Sequence, residues 1–291
     1  MGQDSLRAID LQTQMTTRMG ALFPGMKEFF EKQFKTTIPY FQTEEEMVEV
    51  YRKAGIKACL VPPTSDKTNF EKIAEVNNYT AALRDKYPDA IAGFWVMLNP
   101  LKNTEKWLAE LERCLRDLKS YGIFYYGATT GIPCTDERLK PFWQLCSKYK
   151  APVKVSVGHT AAGQGLPGGG GFRLKSEMPV PYLDDLAADF PSMTIIAAHN
   201  PWPWHEQMVS VLMHKGNVYN EVHGWSPKLF PAELKRQMRL NPRARSKFLF
   251  GSDWPFIPFE RLYADWEAEE FGPEVLQQIF VENAKKALKI A

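Results

Sequence analysis

Residues 193–224 read MTIIAAHNPWPWHEQMVSVLMHKGNVYNEVHG, and the way this stretch divides decides the fold. An apolar run, 193–198, ends on His199. A longer amphipathic segment, 202–216, closes on Gly216, and a second short strand pattern, 217–224, carries Glu221 and His223. Two strands joined through a helix lie parallel in one sheet.

The unit repeats on both sides. Upstream, strand patterns stand at 7–12 (RAIDLQ), 56–63, 90–98, 122–128 and 152–159 (PVKVSVGH), with helical patterns between them at 44–55, 70–89, 104–122 and 136–150. The helix over 104–122 is expected to be capped by Asn103 or Thr104 and stopped by Gly122. A helical stretch at 181–191 leads into the opening strand of the quoted unit. Downstream, 231–241 leads to an eighth strand, 247–253 (KFLFGSD), and helices after Phe259 close the chain. Eight near-continuous apolar strands alternating with helices argue for a parallel sheet covered on both faces. Eight is also the number that closes a barrel. The expected fold is an α/β (β/α)8 TIM barrel, a single domain over 1–291, with a helical insertion after the first strand at 16–42. That insertion is large enough for a lid or a partner surface. A second irregular segment, 160–179, is glycine-rich but lacks a Lys-Ser or Lys-Thr at the offset a phosphate loop requires, so it is expected to be an active-site loop.

A net charge of +2 with scattered basic residues gives no electrostatic case for nucleic acid or an anionic membrane. Cys59, Cys114, Cys134 and Cys146 are too widely spaced for a CxxC motif. The opening MGQDSLRAID carries no leader pattern and no apolar run approaches a membrane span, so a cytoplasmic setting is expected.

Catalytic groups of such a barrel stand at the C-terminal ends of its strands. Those ends carry Gln12 and Gln14, Asn99, Tyr125 or Tyr126, His159, His199, Glu221 with His223, and Asp253. Three of the five histidines thus fall on consecutive strand ends, and an acid ends the eighth. Imidazole and carboxylate groups from separate strands are what a first-row divalent ion needs. A single His at a strand end is commonly a hydrogen-bonded structural residue, but the shared placement of His159, His199 and Asp253 favours a site. For Glu221 and His223, packing and function stand level. They share a strand face, as do Gln12 and Gln14. His205 and His214 fall on the sixth helix as surface or packing residues. Trp202, Trp204 and Trp225 follow strand ends, where they wall an aromatic or acyl pocket or simply pack.

The segments IDLQTQ (9–14), VSVGH (155–159), MTIIAAHNPWPW (193–204), NVYNEVHGWSPKLFP (217–231), FLFGSDWPF (248–256) and IFVENAKKALKI (279–290) resemble the amidohydrolase superfamily. The likeness is closest to the amidohydrolase-related branch that includes aminocarboxymuconate-semialdehyde decarboxylase and several hydrolases. It runs nearly end to end, and the pairing of FGSDWPF with ENAKKAL is its most specific part. The resemblance implies His159 as a metal ligand, His199 as a ligand or catalytic group, and Asp253 as a ligand or general base. It also shows departures. The family's first-strand His-x-His matches Gln12 and Gln14, the fourth strand offers no lysine for carbamylation, and His223 stands where relatives sharing GWSP tend to carry a small residue.

An amide oxygen is a weaker ligand than imidazole, so three outcomes follow. A divalent metal, Zn before Mn or Fe, could shift to His159, His199, His223 and Asp253, with Gln12, Gln14 and Glu221 as hydrogen-bond partners behind them. The site could work without a cofactor, with His199 and Asp253 as acid and base. Or the chain could be a catalytically degenerate subunit supporting an active homologue, as in a metal-dependent oxygenase complex. The leading expectation is a metal-dependent hydrolase or decarboxylase acting on a small carboxylate or carbonyl substrate near Trp202 and Trp225. It would form a homo-oligomer, or a hetero-oligomer with a related subunit.

Overall fold

Alternating apolar strands and amphipathic helices fold, in this computed structural model, into eight parallel strands ordered by sequence. Residues 6–17, 26–62, 69–98, 100–101, 104–161 and 163–290 are described. Asn99, Asn103 and part of the 16–42 insertion lie outside them. The strands are β1 (Ala8–Gln14), β2 (Ile56–Val61), β3 (Ile91–Val96), β4 (Gly122–Tyr125), β5 (Val153–Ser156), β6 (Ile195–Ala198), β7 (Val218–Glu221) and β8 (Phe248–Leu249). Each pairs in parallel with the next.

The first strand meets the last through backbone hydrogen bonds. Leu11 N–H donates to Phe250 O (3.2 Å), Asp253 N–H to Gln12 O (2.9 Å) and Gln14 N–H to Trp254 O (2.8 Å). The buried Asp10 reinforces this seam, accepting from the backbone N–H of Gln12 and of Ser252 (both 3.0 Å) and from the Ser252 hydroxyl. The eight-strand barrel expected from the sequence is therefore present, with both glutamines inside β1.

Local signals explain several helix starts. Thr43 and Glu46 form a capping box on the helix Glu44–Lys53, and Asn69 caps Phe70–Lys86. One boundary differs from expectation. The helix Thr104–Arg116 ends well before Gly122, and Gly122 instead opens β4. A Cβ there would lie 1.8 Å from Pro152 O, so the glycine permits close approach of two strands and does not stop a helix. Large side chains such as Trp95, Trp107, Trp143 and Trp266 fill the core. Burial of each such group stabilises the fold by roughly 2–3 kcal/mol.

In the insertion, the helix Met26–Phe34 packs beside the end of β8, where Phe30 and Phe34 lie 4.4 and 5.5 Å from the Phe256 ring. The glycine-rich segment forms a tight turn over Pro167–Gly171, with Gly168, Gly169 and Gly170 all left-handed. No helix among the described residues is long and apolar enough to cross a membrane.

Candidate active site

Strand alternation sends Val153 and Val155 of β5 one way and Lys154 and Ser156 the other, into the barrel. Lys154 has no exposed surface. An ammonium carries three N–H donors, and three oxygens meet it: Leu11 O at 2.8 Å, Gln12 Oε1 at 2.6 Å and Glu221 Oε2 at 2.8 Å. The faces of Phe124 and Trp95 lie 4.9 and 5.6 Å from Nζ. A buried cation without such partners would cost several kcal/mol.

Glu221, at the end of β7, joins that cation to a histidine. Its Oε2 lies 2.6 Å from His223 Nδ1, and its Oε1 accepts the His223 backbone N–H at 3.0 Å. Burial alone would raise its pKa, but contact with His223 and Lys154 outweighs burial and brings it down to about 2. An ionised carboxylate accepts only, so Nδ1 of His223 carries a proton and Nε2 points away from Glu221. Gly251 makes room for this pair: a Cβ there would fall 1.7 Å from Glu221 Oε1.

The His199 ring lies 4.2 Å from that of His223 and 5.4 Å from that of Tyr126. Burial, followed by His223 and Lys154, drives its pKa well below the ordinary value, so the imidazole is neutral. Its Nδ1 is buried without a partner. His199 has φ +81° and Asp253 φ +60°, left-handed conformations that a non-glycine residue keeps only when its surroundings impose them. Asn220 supplies part of that constraint at His199, donating to the carbonyls of Ala197 and His199 (3.0 Å each).

At the end of β8, Gln14 Nε2 reaches Asp253 Oδ1 at 3.4 Å, and the Asp253 backbone N–H donates to Gln12 O at 2.9 Å. Burial raises the Asp253 pKa against the opposing pull of His223 and Gln14. A Cβ on Gly224 would stand 3.6 Å from Asp253 Oδ2 and 3.9 Å from His199 Cδ2, so both border the same point. Three of the expected groups, His199, His223 and Asp253, are thus neighbours.

His159 stands three residues beyond β5, half-buried, with its ring 5.4 Å from Trp202 and 6.2 Å from Trp225 in edge-on contacts and its Nδ1 buried without a partner. Its Nε2 is 3.4 Å from Gln164 Oε1. Trp202 and Trp225 are 6.2 Å apart, so the three rings form one cluster. Trp204 instead borders a groove between the helices His205–His214 and Ala232–Leu240. His205 is buried against Asn200 Oδ1 (2.7 Å), a packing role, as expected. Tyr125 turns away to Thr130 and Ile132 O, which leaves Tyr126 as the site tyrosine.

Among the described residues, no group of three or more His, Cys, Asp or Glu side chains is placed to hold a metal ion. The structure therefore does not gather His159, His199, His223 and Asp253 as a ligand set. The oxygens of Gln12 and Glu221 are already bound to Lys154, and the residues present do not fit a divalent ion in that position.

Lys154 escaped sequence reasoning, although a lysine amid the valines of a buried strand is a visible anomaly. So did Ser156 and Glu177. The Ser156 hydroxyl accepts from Gly127 N–H (3.0 Å), and the Ser176 hydroxyl donates to Glu177 Oε1 (3.3 Å). Glu177 is buried, its Oε2 has no partner, and burial pushes its pKa up to about 8. A glutamate in a glycine-rich loop gives no sequence sign of burial.

Solved structures share this architecture. An uncharacterised TIM-barrel protein of Bordetella bronchiseptica is 22% identical, with 97% of this chain and 98% of that one covered at a TM-score of 0.73. A 2,6-dihydroxybenzoate decarboxylase complexed with 2,6-dihydroxybenzoate is 17% identical (98% of each chain, TM-score 0.70). The 5-carboxyvanillate decarboxylase of Novosphingobium aromaticivorans, complexed with manganese and a nitrobenzoic acid, is 15% identical (100% and 98%, TM-score 0.70). At these identities the likeness is one of fold. No curated protein matches the sequence significantly. The amidohydrolase family model matches residues 64–290, from the end of β2 through β8 and the closing helices. The chain belongs to the amidohydrolase family.

Proposed function

We propose that this chain is an acid–base enzyme of the decarboxylase or hydrolase type, acting on a small carboxylated or carbonyl substrate at the barrel mouth. The observation that carries this reading is the Glu221–His223 pair, held at 2.6 Å beside His199 and Asp253. Glu221 fixes the ring of His223 so that Nε2 serves as the base, in the way an orienting carboxylate works in other acid–base sites. Asp253, with its raised pKa, holds or returns the proton. Neutral His199 and the Tyr126 hydroxyl offer polar contacts to developing oxyanion charge. In a decarboxylation the carboxylate leaves as CO2, its bonding electrons remain on carbon, and Asp253 delivers the proton there. Trp202 and Trp225 wall the entrance, which favours a planar, unsaturated substrate. The reading routes no step through zinc, since no group of three His, Cys, Asp or Glu side chains among the described residues is placed to hold it.

The test is turnover of a panel of small aromatic and enol carboxylic acids and their esters, followed by CO2 or acid release. His223→Asn and Asp253→Asn should each lower kcat by about 10²–10⁴. Activity indifferent to both substitutions would remove the assignment.

A second reading draws on Gln12 and Gln14 themselves: a non-catalytic subunit that supports an active homologue. Stable co-purification with an amidohydrolase-fold partner, together with an inactive isolated chain, would favour it.

A further inference from the structure

The acid–base reading leaves one buried charge unassigned. Lys154 takes no part in proton transfer, yet it sits at the centre of the polar network. Its three N–H groups are spent on Leu11 O, Gln12 Oε1 and Glu221 Oε2, and it is sealed beneath Phe124 and Trp95. Two of those partners continue outward. Glu221 passes to His223 Nδ1, and Gln12 passes through its backbone carbonyl to the Asp253 N–H (2.9 Å). The groups that would do the chemistry therefore hang from the ammonium on two hydrogen-bonded arms.

We propose that Lys154 is the site's built-in cation: its ammonium occupies the Gln12–Glu221 gap in place of a metal ion and positions His223 and Asp253 through those two residues. A divalent ion entering the gap would have to take both oxygens from the ammonium and lie beside it in a medium that screens poorly. It would also lack ligands, since a hard cation in this gap would find one amide and one carboxylate oxygen where six or more donors are usual. Gln12 suits the ammonium because a neutral amide oxygen accepts from a cation without adding a charge of its own. On this account the glutamine is the partner that a protein cation requires. Lys154 is a positioning residue and does not touch substrate.

The proposal rests on the acid–base reading for its purpose, but its test needs no turnover, so the two can fail separately. Mn²⁺ binding, followed by electron paramagnetic resonance of the free ion, is measured for wild type, Gln12→His/Gln14→His and Lys154→Met. The ¹⁵N spectrum of the His223 ring is recorded alongside. Wild type should hold less than about a tenth of an equivalent of Mn²⁺. The double-histidine variant should do the same despite its two added imidazoles, because the ammonium still fills the gap. Lys154→Met should bind Mn²⁺ about tenfold more tightly than wild type or better. Its His223 ring should also lose the single Nδ1–H pattern of wild type. Where Lys154→Met does not fold, the double-histidine variant decides. Stoichiometric Mn²⁺ in wild type or in the double-histidine variant would overturn the proposal. So would a folded Lys154→Met protein with unchanged Mn²⁺ affinity and an unchanged His223 spectrum.

Discussion

Gln12 shows how far one residue can mislead and then inform. Read against a family that places histidine there, it signals a lost ligand. In the structure its side-chain oxygen accepts from Lys154 at 2.6 Å and its backbone carbonyl accepts from the Asp253 N–H at 2.9 Å. No spacing rule reveals this, because Lys154 lies 142 residues away in sequence. His199, His223 and Asp253 were legible as strand-end residues. The place of His159 between two tryptophan rings was not, because it depends on three residues of chain beyond β5. At this scale Gly251 supplies a sharp test. A methyl group there collides with Glu221 Oε1, so Gly251→Ala should displace the carboxylate and cost about 1–3 kcal/mol of stability. Catalytic activity should fall with it. Denaturant unfolding and steady-state kinetics together check this, and a fully stable, fully active variant would show that Glu221 needs no such clearance.

Strands and loops set the positions of these side chains. The strand pattern was readable because the parallel strands are largely apolar and many of the helices between them carry a recognisable cap or periodicity. What β1 does at its seam with β8 was not readable, since Asp10 gives no sequence sign that it serves backbone donors. Asp10→Ala would leave the N–H groups of Gln12 and Ser252 without their acceptor, a loss of roughly 1–3 kcal/mol for each orphaned donor. Unfolding midpoints should fall accordingly. The loop after β5 is held by Glu177, whose pKa rises from an ordinary 4.5 to about 8 through burial. The folded chain therefore keeps a proton there that the unfolded chain loses, and stability declines as pH rises from about 4.5 to about 8. Glu177→Gln, which mimics the protonated acid, should flatten that decline and raise the thermal midpoint near pH 8 relative to wild type. Parallel midpoint–pH curves for the two proteins would show that the carboxyl is not proton-bearing in the fold.

Across the whole molecule, the barrel brings together residues from β1, β5, β6, β7 and β8 that no local pattern connects. The family match begins at residue 64, so it leaves out Gln12 and Gln14 and covers Lys154, His199, Glu221, His223 and Asp253. Fold and family were legible because they are written in many weak, repeated signals. The chemistry was only partly legible, because it turns on one buried lysine and on which oxygens that lysine claims. Glu221 extends this to acid stability: its pKa is lowered from 4.5 to about 2, so its contribution is present above about 4.5 and is lost as pH falls toward 2. The central claim is that this barrel works through Glu221, His223 and Asp253 around a protein cation. The most direct measurement is turnover of a substrate found in the carboxylic-acid panel, before and after exhaustive chelation, with Mn²⁺ or Zn²⁺ then added back. The account predicts an unchanged rate at every stage and loss of that rate in His223→Asn. A rate abolished by chelation and restored by either ion would contradict it.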